Sequence, residues 1–181
     1  MRAKVPVLEV GDTVLIESMV ICEYLEELVP GGASAMENAN ARLFAALAQP
    51  ALSVIPILKV DAGSTEEAAA ITELVAKLQA LDQYLVRHGT AEGPFLLGES
   101  FSLAECTLAP FAQRFAAVLP GLRPALDPYA MMEAGGLHRL SEWMKAVTAR
   151  ESAVATLPPV DELVDSYGKI IERMKGAAAP A

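Results

Sequence analysis

The sequence predicts an α+β protein that is mostly α, in which a β-hairpin and one helix precede an entirely helical part. Two β-rich runs, residues 5–10 and 13–16, are separated by Gly11-Asp12. Glycine supplies the positive φ that a tight hairpin turn needs, so this spacing is typical of a hairpin. After residue 34 the apolar residues recur three and four positions apart, which is the period of helices with one buried face.

Four helices carry the clearest apolar periodicity. The first is predicted over about residues 18–28, where Ile21 and Leu25 face the core and the glutamates face away. Ser64 and Glu67 are spaced as a capping box for the next of these helices, and Gly89 follows its end. The buried seams of the three later helices are Ile71, Leu74, Leu78, Leu81 and Leu85; Leu137, Leu140, Met144 and Val147; and Leu163, Tyr167, Ile170, Ile171 and Met174.

The change from a β-rich to a helical residue pattern along the chain predicts two unequal units. The glycine- and proline-rich residues 30–34 separate a first unit, residues 1–30, from an all-helical domain, residues 31–175. The last six residues, 176–181, offer little to pack and are predicted to be a disordered tail.

Charge and hydropathy exclude several classes of partner. The 181 residues are 53% hydrophobic and carry a net charge of −9, with a pI near 4.7. Such a surface repels phosphate backbones and anionic lipid, so neither nucleic acid nor membrane is an expected partner. The most apolar stretch, residues 43–58, is interrupted by Pro50 and Pro56 and is shorter than the roughly 20 residues of a membrane helix. We expect it to be a buried helix.

The two cysteines, Cys22 and Cys106, are too few for a disulfide framework and lack the spacing of a metal site. We therefore expect a reducing, cytoplasmic setting and no metal, and no signal peptide is recognisable. Both cysteines are expected to act as small buried hydrophobic residues.

Two dipeptides have the residue types of a binding site, and each also has an ordinary structural interpretation. In Val5-Pro6 the proline marks either an edge strand or a cis peptide bond. In Glu17-Ser18 the serine is either a simple N-cap or part of an anion site formed with the positive end of the helix.

The run KVPVLEVGDTVLIESMVICEYLEELVP, residues 4–30, resembles the second half of the glutathione-binding domain of glutathione transferases. The resemblance implies a thioredoxin-like fold with a cis Pro6. It also implies that the backbone of Val5 pairs with the cysteinyl unit of glutathione. Glu17 would accept the α-ammonium of glutathione, and Ser18 would hold its γ-glutamyl carboxylate.

The helical part is similar to the same family. Residues 93–105 resemble the family's loop into its sixth helix, where Ser102 and Glu105 would form a structural capping box. The segments at 94–98 and 110–115 favour the lambda, omega and related cysteine-type classes. The resemblance extends to about Met174 and makes the helical unit the family's C-terminal domain.

The resemblance implies a glutathione transferase, or a glutathione-dependent thiol transferase that reduces disulfides or dehydroascorbate. The family's domain begins with a strand, a helix and a second strand that carry the catalytic residue, which we expect upstream of Met1. The second substrate would lie near Phe44 and Arg114. A homodimer built on the first two long helices of the helical domain is expected. The alternative is a non-catalytic interaction module of the same fold; a membrane-inserting relative has little support.

Overall fold

The structure, a computed structural model, describes residues 5–28 and 32–178. The predicted boundary at residues 30 and 31 and the tail residues 179–181 lie outside these ranges. The described elements are, in chain order, β1 Val7–Val10, β2 Thr13–Ile16, α1 Ser18–Glu27, α2 Ala35–Ala51, α3 Ile55–Leu58, α4 Thr65–His88, α5 Leu103–Leu122, α6 Pro128–Ala134, α7 His138–Ala149, α8 Glu151–Thr156 and α9 Val160–Ala178.

The predicted hairpin and the helix after it are confirmed. Strands β1 and β2 pair antiparallel, with Val7 opposite Ile16 and Val10 opposite Thr13. Gly11 adopts a φ of 58° in the two-residue turn, a conformation that glycine adopts more readily than residues with a side chain. Helix α1 packs on both strands and on α5, so the hairpin joins the helical part through α1. The chain is therefore mostly helical with a small antiparallel sheet, as expected.

Helix α5 is the centre of the helical domain. It packs against α2, α6, α7 and α9, and its side chains Leu108 and Phe115 are completely buried. Beside it, the rings of Phe44 and Trp143 meet edge to face at 5.3 Å. Aromatic pairs of this geometry contribute about 0.5–1.5 kcal/mol beyond their buried area. The core thus forms around one long apolar helix.

The apolar seams predicted for α4 and α7 are buried, including Leu78 in α4 and Met144 in α7. Helix α9 continues to Ala178, so the predicted end of the domain at residue 175 lies inside a helix. The alanines after Gly176 explain the difference, because alanine is the strongest helix former.

The apolar segment expected to be one buried helix forms two, α2 and α3, with the buried Leu52 and Val54 between them. By length and composition, the stretch from Ala35 to Leu58 is long and apolar enough to cross a membrane; its most apolar 18 residues have a mean hydropathy of 1.6. The expectation that no apolar stretch is long enough was therefore wrong. Half of these 18 residues are buried within the protein, as in the core helix of a globular domain.

The carboxylate of Glu105 is fully buried and holds three parts of the chain together. It accepts hydrogen bonds from the backbone N–H and the hydroxyl of Ser102, at 2.9 and 2.6 Å. The backbone N–H of Leu96 and the indole Nε1–H of Trp143 also donate to it, each at 2.9 Å. The Ser102 hydroxyl in turn accepts from the N–H of Ala104 at 3.2 Å. The predicted structural cap is confirmed, and it extends to a loop and to α7.

The second predicted capping box, Ser64 with Glu67, forms in one direction only. The Ser64 hydroxyl accepts from the N–H of Glu67 at 3.1 Å. The Glu67 carboxylate accepts from the N–H of Gly63 at 2.6 Å and from the Arg123 guanidinium at 2.7 Å. These two partners, the backbone N–H first, hold the pKa of Glu67 below its usual value. Glu67 therefore joins the start of α4 to the end of α5.

We expect Glu105→Gln to lower the free energy of unfolding by about 2–4 kcal/mol, because its NH₂ group would face hydrogen-bond donors in a buried site. Urea denaturation followed by circular dichroism measures the loss. Glu99→Gln, at an exposed position in the preceding loop, is the matched control and should change stability little. Equal effects of the two substitutions would contradict the role of the buried carboxylate.

The stabilisation by Glu67 should depend on pH. A carboxyl whose pKa is lowered by folding stabilises the protein above its unfolded pKa, and that contribution is lost as pH falls through the folded value. Glu67→Gln should therefore destabilise the protein at pH 7, and the difference from wild type should shrink as pH falls below 4.5. Denaturation at pH 7, 5 and 3.5 checks this, and a difference that is independent of pH would refute it.

Candidate functional site

The hairpin brings the two predicted binding dipeptides to the same end of the molecule. Val7 lies opposite Ile16 at the open end of the ladder, so the residues just before β1 and just after β2 are neighbours there. Val5-Pro6 precedes β1 and its peptide bond is cis, which confirms the expectation for Pro6. Val5 lies outside the ladder and is 90% exposed. Its backbone is thus positioned beside the start of α1.

Glu17 and Ser18 lie where β2 turns into α1. Glu17 is the N-cap residue and has φ 72° and ψ 114°, a conformation that residues with a Cβ rarely adopt. Ser18 is the first residue of the helix rather than its cap. The simple N-cap interpretation of Ser18 is therefore excluded, and the residue with the unusual backbone, Glu17, directly precedes it.

The N-terminus of α1 has no side-chain cap. Helices α2, α4, α5 and α6 are capped by Ser34, Ser64, Ser102 and Asp127, whereas α3, α7 and α8 lack a side-chain cap, as α1 does. The first turn of α1 also contains no acidic residue. The first N–H groups of a helix lack intrahelical partners and carry partial positive charge, so an uncapped end suits a carboxylate. The Ser18 hydroxyl is exposed there and adds a further donor.

A cavity of about 500 Å³ opens beside this helix end, between α1, α2 and α5. Of the four predicted glutathione-binding residues, Ser18 belongs to its lining. The cavity therefore starts at the candidate carboxylate site and extends over the helical domain. Its lining consists of Ser18, Met19 and Cys22 from α1, Arg42, Ala45, Ala46 and Gln49 from α2, and Cys106, Thr107, Pro110, Phe111 and Arg114 from α5.

The cavity combines an apolar wall with two arginines. Arg114 lines it, as expected from its position, and lies over the Phe111 ring at 4.7 Å while donating to the hydroxyl of Tyr167 at 3.1 Å. Arg42 pairs with Glu23 at 3.4 Å. The expectation for Phe44 was wrong, because this ring is fully buried in the core; smaller residues of α2 line the cavity instead. Such a lining suits an apolar molecule with a negatively charged group.

Both cysteines line the same cavity, which sequence reasoning did not predict. Cys106 was expected in the core but is exposed, because it lies on the face of α5 that points away from the buried Leu108. Cys22 is half-buried. Partial desolvation of the sulfur by the surrounding protein raises the pKa of the Cys106 thiol, although the residue is exposed, and nearby Cys22 raises it further. Within residues 5–28 and 32–178, no group of three or more metal-binding side chains is present.

The fold and the site together define a small thioredoxin-like unit whose helix α1 begins without a side-chain cap, followed by a helical domain that shares a cavity with it. Family comparisons agree with this class. The family described as "Glutathione S-transferase, N-terminal domain" matches residues 1–27, and "Glutathione S-transferase, C-terminal domain" matches residues 64–146. These two matches support a glutathione transferase family for the chain.

Solved structures share the fold. A Tau class glutathione S-transferase from mango, Mangifera indica, is 20% identical with a TM-score of 0.67, over 93% of this chain and 76% of the mango chain. A rice GST in complex with glutathione is 22% identical with a TM-score of 0.66, over 94% and 75% of the two chains. A trimeric glutathione transferase from Leishmania is 22% identical with a TM-score of 0.70, over 94% of this chain and 39% of its own.

The strained backbone conformation of Glu17 can be tested by substitution. Glycine adopts positive φ at no steric cost, whereas a Cβ is strained there by about 1–3 kcal/mol. We expect Glu17→Gly to be more stable than Glu17→Ala by about 1 kcal/mol, although glycine usually destabilises a folded chain. Urea denaturation of both variants isolates the backbone effect, since both remove the carboxylate. An alanine variant as stable as the glycine variant would contradict the strained conformation.

Proposed function

We propose that this protein is a glutathione transferase in which Val5, Pro6, Glu17 and Ser18 bind glutathione. The N–H and C=O of Val5 pair with the cysteinyl unit, and the cis Pro6 turns them toward it. The Ser18 hydroxyl and the first N–H groups of α1 hold the γ-glutamyl carboxylate, while the Glu17 carboxylate accepts from the α-ammonium. Glutathione is the substrate, and the chemistry requires no metal.

The observation that carries this proposal is the uncapped N-terminus of α1 at the edge of the cavity. A helix end without a side-chain cap leaves its N–H groups for an external acceptor. A zwitterionic ligand end needs a donor and an acceptor side by side, which Ser18 and Glu17 supply. The strained backbone at Glu17 supports a binding role, because such conformations concentrate at ligand sites.

The second substrate occupies the cavity between α1, α2 and α5. Its apolar part lies against Met19 and Phe111, and a negatively charged group lies near Arg114. The glutathione thiolate attacks either an electrophilic carbon or a disulfide, since the thiolate is the nucleophilic form. We assign no described residue to activation of that thiol. The lambda or omega class is a prediction from the sequence, and the mango neighbour is of the Tau class.

We further propose a cytoplasmic homodimer in which α2 and α4 form the interface. Met36, Leu43 and Leu47 are exposed at positions that share one face of α2, and Val86 is exposed on α4. Exposed apolar residues grouped in this way support a contact with a second copy of the chain.

The test of glutathione binding is Ser18→Ala. Removing the hydroxyl should weaken binding about tenfold, or about 1.4 kcal/mol, because one hydrogen bond to a charged carboxylate is lost. Isothermal titration calorimetry of the full chain with glutathione measures this. Ser34→Ala, which removes the cap of α2, is the matched control; it should lower stability and leave the affinity unchanged.

Equal affinities in wild type and Ser18→Ala would refute the assignment of Ser18. A wild-type chain that binds no glutathione would refute the proposed function and support the interaction module instead. Transfer of glutathione to a chlorinated aromatic electrophile, followed by absorbance, then tests the catalytic step on the same preparation.

A further inference from the structure

Helices α1 and α5 meet at the two cysteines of the chain. Cys22 and Cys106 line the same cavity, one from each helix. The Thr107 hydroxyl lies 3.1 Å from the sulfur of Met19, so the two helices are in direct contact at this level. Met19 is one turn before Cys22 on the same face of α1, and Thr107 follows Cys106 directly. The contact therefore brings the two thiols to one part of the cavity wall.

Helices α1 and α5 pack directly against each other, with one cysteine on each helix lining the shared cavity. Facing positions of two packed helices approach within the roughly 7 Å between Cα atoms that a disulfide spans. The electrostatic influence of Cys22 on Cys106 is consistent with this closeness. Glu105, Glu26 and Arg150 are the charged groups that also act on Cys106, the two carboxylates raising its pKa and the guanidinium lowering it. Cys106 is an exposed residue that lines the cavity, which gives a small disulfide a route to it.

We propose that Cys22 and Cys106 form a redox-active thiol pair, which small disulfides such as glutathione disulfide oxidise to an intramolecular disulfide. The pair lies in the same cavity as Ser18, but its reaction with small disulfides does not use Val5, Glu17 or Ser18. Its bond joins the hairpin unit, through α1, to the helical domain, through α5. Oxidation closes the cavity wall between the two units, and glutathione reverses it.

The chemistry proceeds by two exchanges. The Cys106 thiolate attacks one sulfur of the small disulfide, forming a mixed disulfide and releasing one thiolate, which takes up the proton that Cys106 lost. The Cys22 thiolate then attacks the Cys106 sulfur and releases the second small thiol. The two cysteines are oxidised by two electrons in total, and one small disulfide is reduced to two thiols.

The experiment treats the full, reduced chain with glutathione disulfide and, separately, with hydroxyethyl disulfide, followed by acid quenching and intact mass measurement. We expect wild type to lose two hydrogens and to gain no lasting adduct with either reagent. A non-reducing peptide map should then join the peptides that contain Cys22 and Cys106; because the chain has two cysteines, the assignment is unambiguous. Cys22→Ser should instead keep a stable mixed disulfide on Cys106.

Stable adducts on wild type, a disulfide between two chains, or no reaction with either reagent would each overturn the proposal. Hydroxyethyl disulfide lacks the zwitterionic end of glutathione, so its reaction does not depend on Val5, Glu17 or Ser18. If the wild-type chain binds no glutathione but still forms the Cys22–Cys106 disulfide, the result would count against the proposed function alone. The decisive result is obtained on wild type, so it does not rely on the folding of a variant.

Discussion

The position of α5 depends on one buried charge, the carboxylate of Glu105. Taking a carboxylate out of water costs several kcal/mol unless hydrogen bonds satisfy its lone pairs. Here two donors from Ser102, one from Leu96 and one from Trp143 do so, from a loop, a helix start and α7. The same helix carries the cavity wall on its outer face. The arrangement of the candidate site thus depends on the network of hydrogen bonds to Glu105 in the core.

The candidate site lies where local structural rules are broken. Side chains cap the starts of α2, α4, α5 and α6, whereas the start of α1 has no side-chain cap and Glu17 adopts a backbone conformation that favours glycine. Departures of this kind cost stability and concentrate at binding sites. The hairpin turn at Gly11 and the pairing of Val7 with Ile16 obey the rules and hold the irregular segment in place.

The parts of the fold that rest on local physics were predictable. Helical periodicity identified the buried leucines of α4, and Gly11 identified the turn, because neighbours along the chain decide both. The Ser102–Glu105 cap is likewise local. The other donors to Glu105, Leu96 and Trp143, are 9 and 38 residues away, and no spacing rule reveals them. Asp82, which accepts from the first turn of α7 across 58 residues, escaped prediction for the same reason.

The sequence alone determined the hairpin, the long helices and the residue types at the start of α1. Hydrogen bonding within a few residues and the spacing of apolar residues are properties of short segments. Only the tertiary structure decided which faces of the helices line the cavity between α1, α2 and α5. Phe44 was expected to line a substrate site and is core, while Cys106 was expected in the core and is exposed beside Cys22. The face a helix turns to its neighbours follows from the packing of α1, α2 and α5 together, which no single segment encodes.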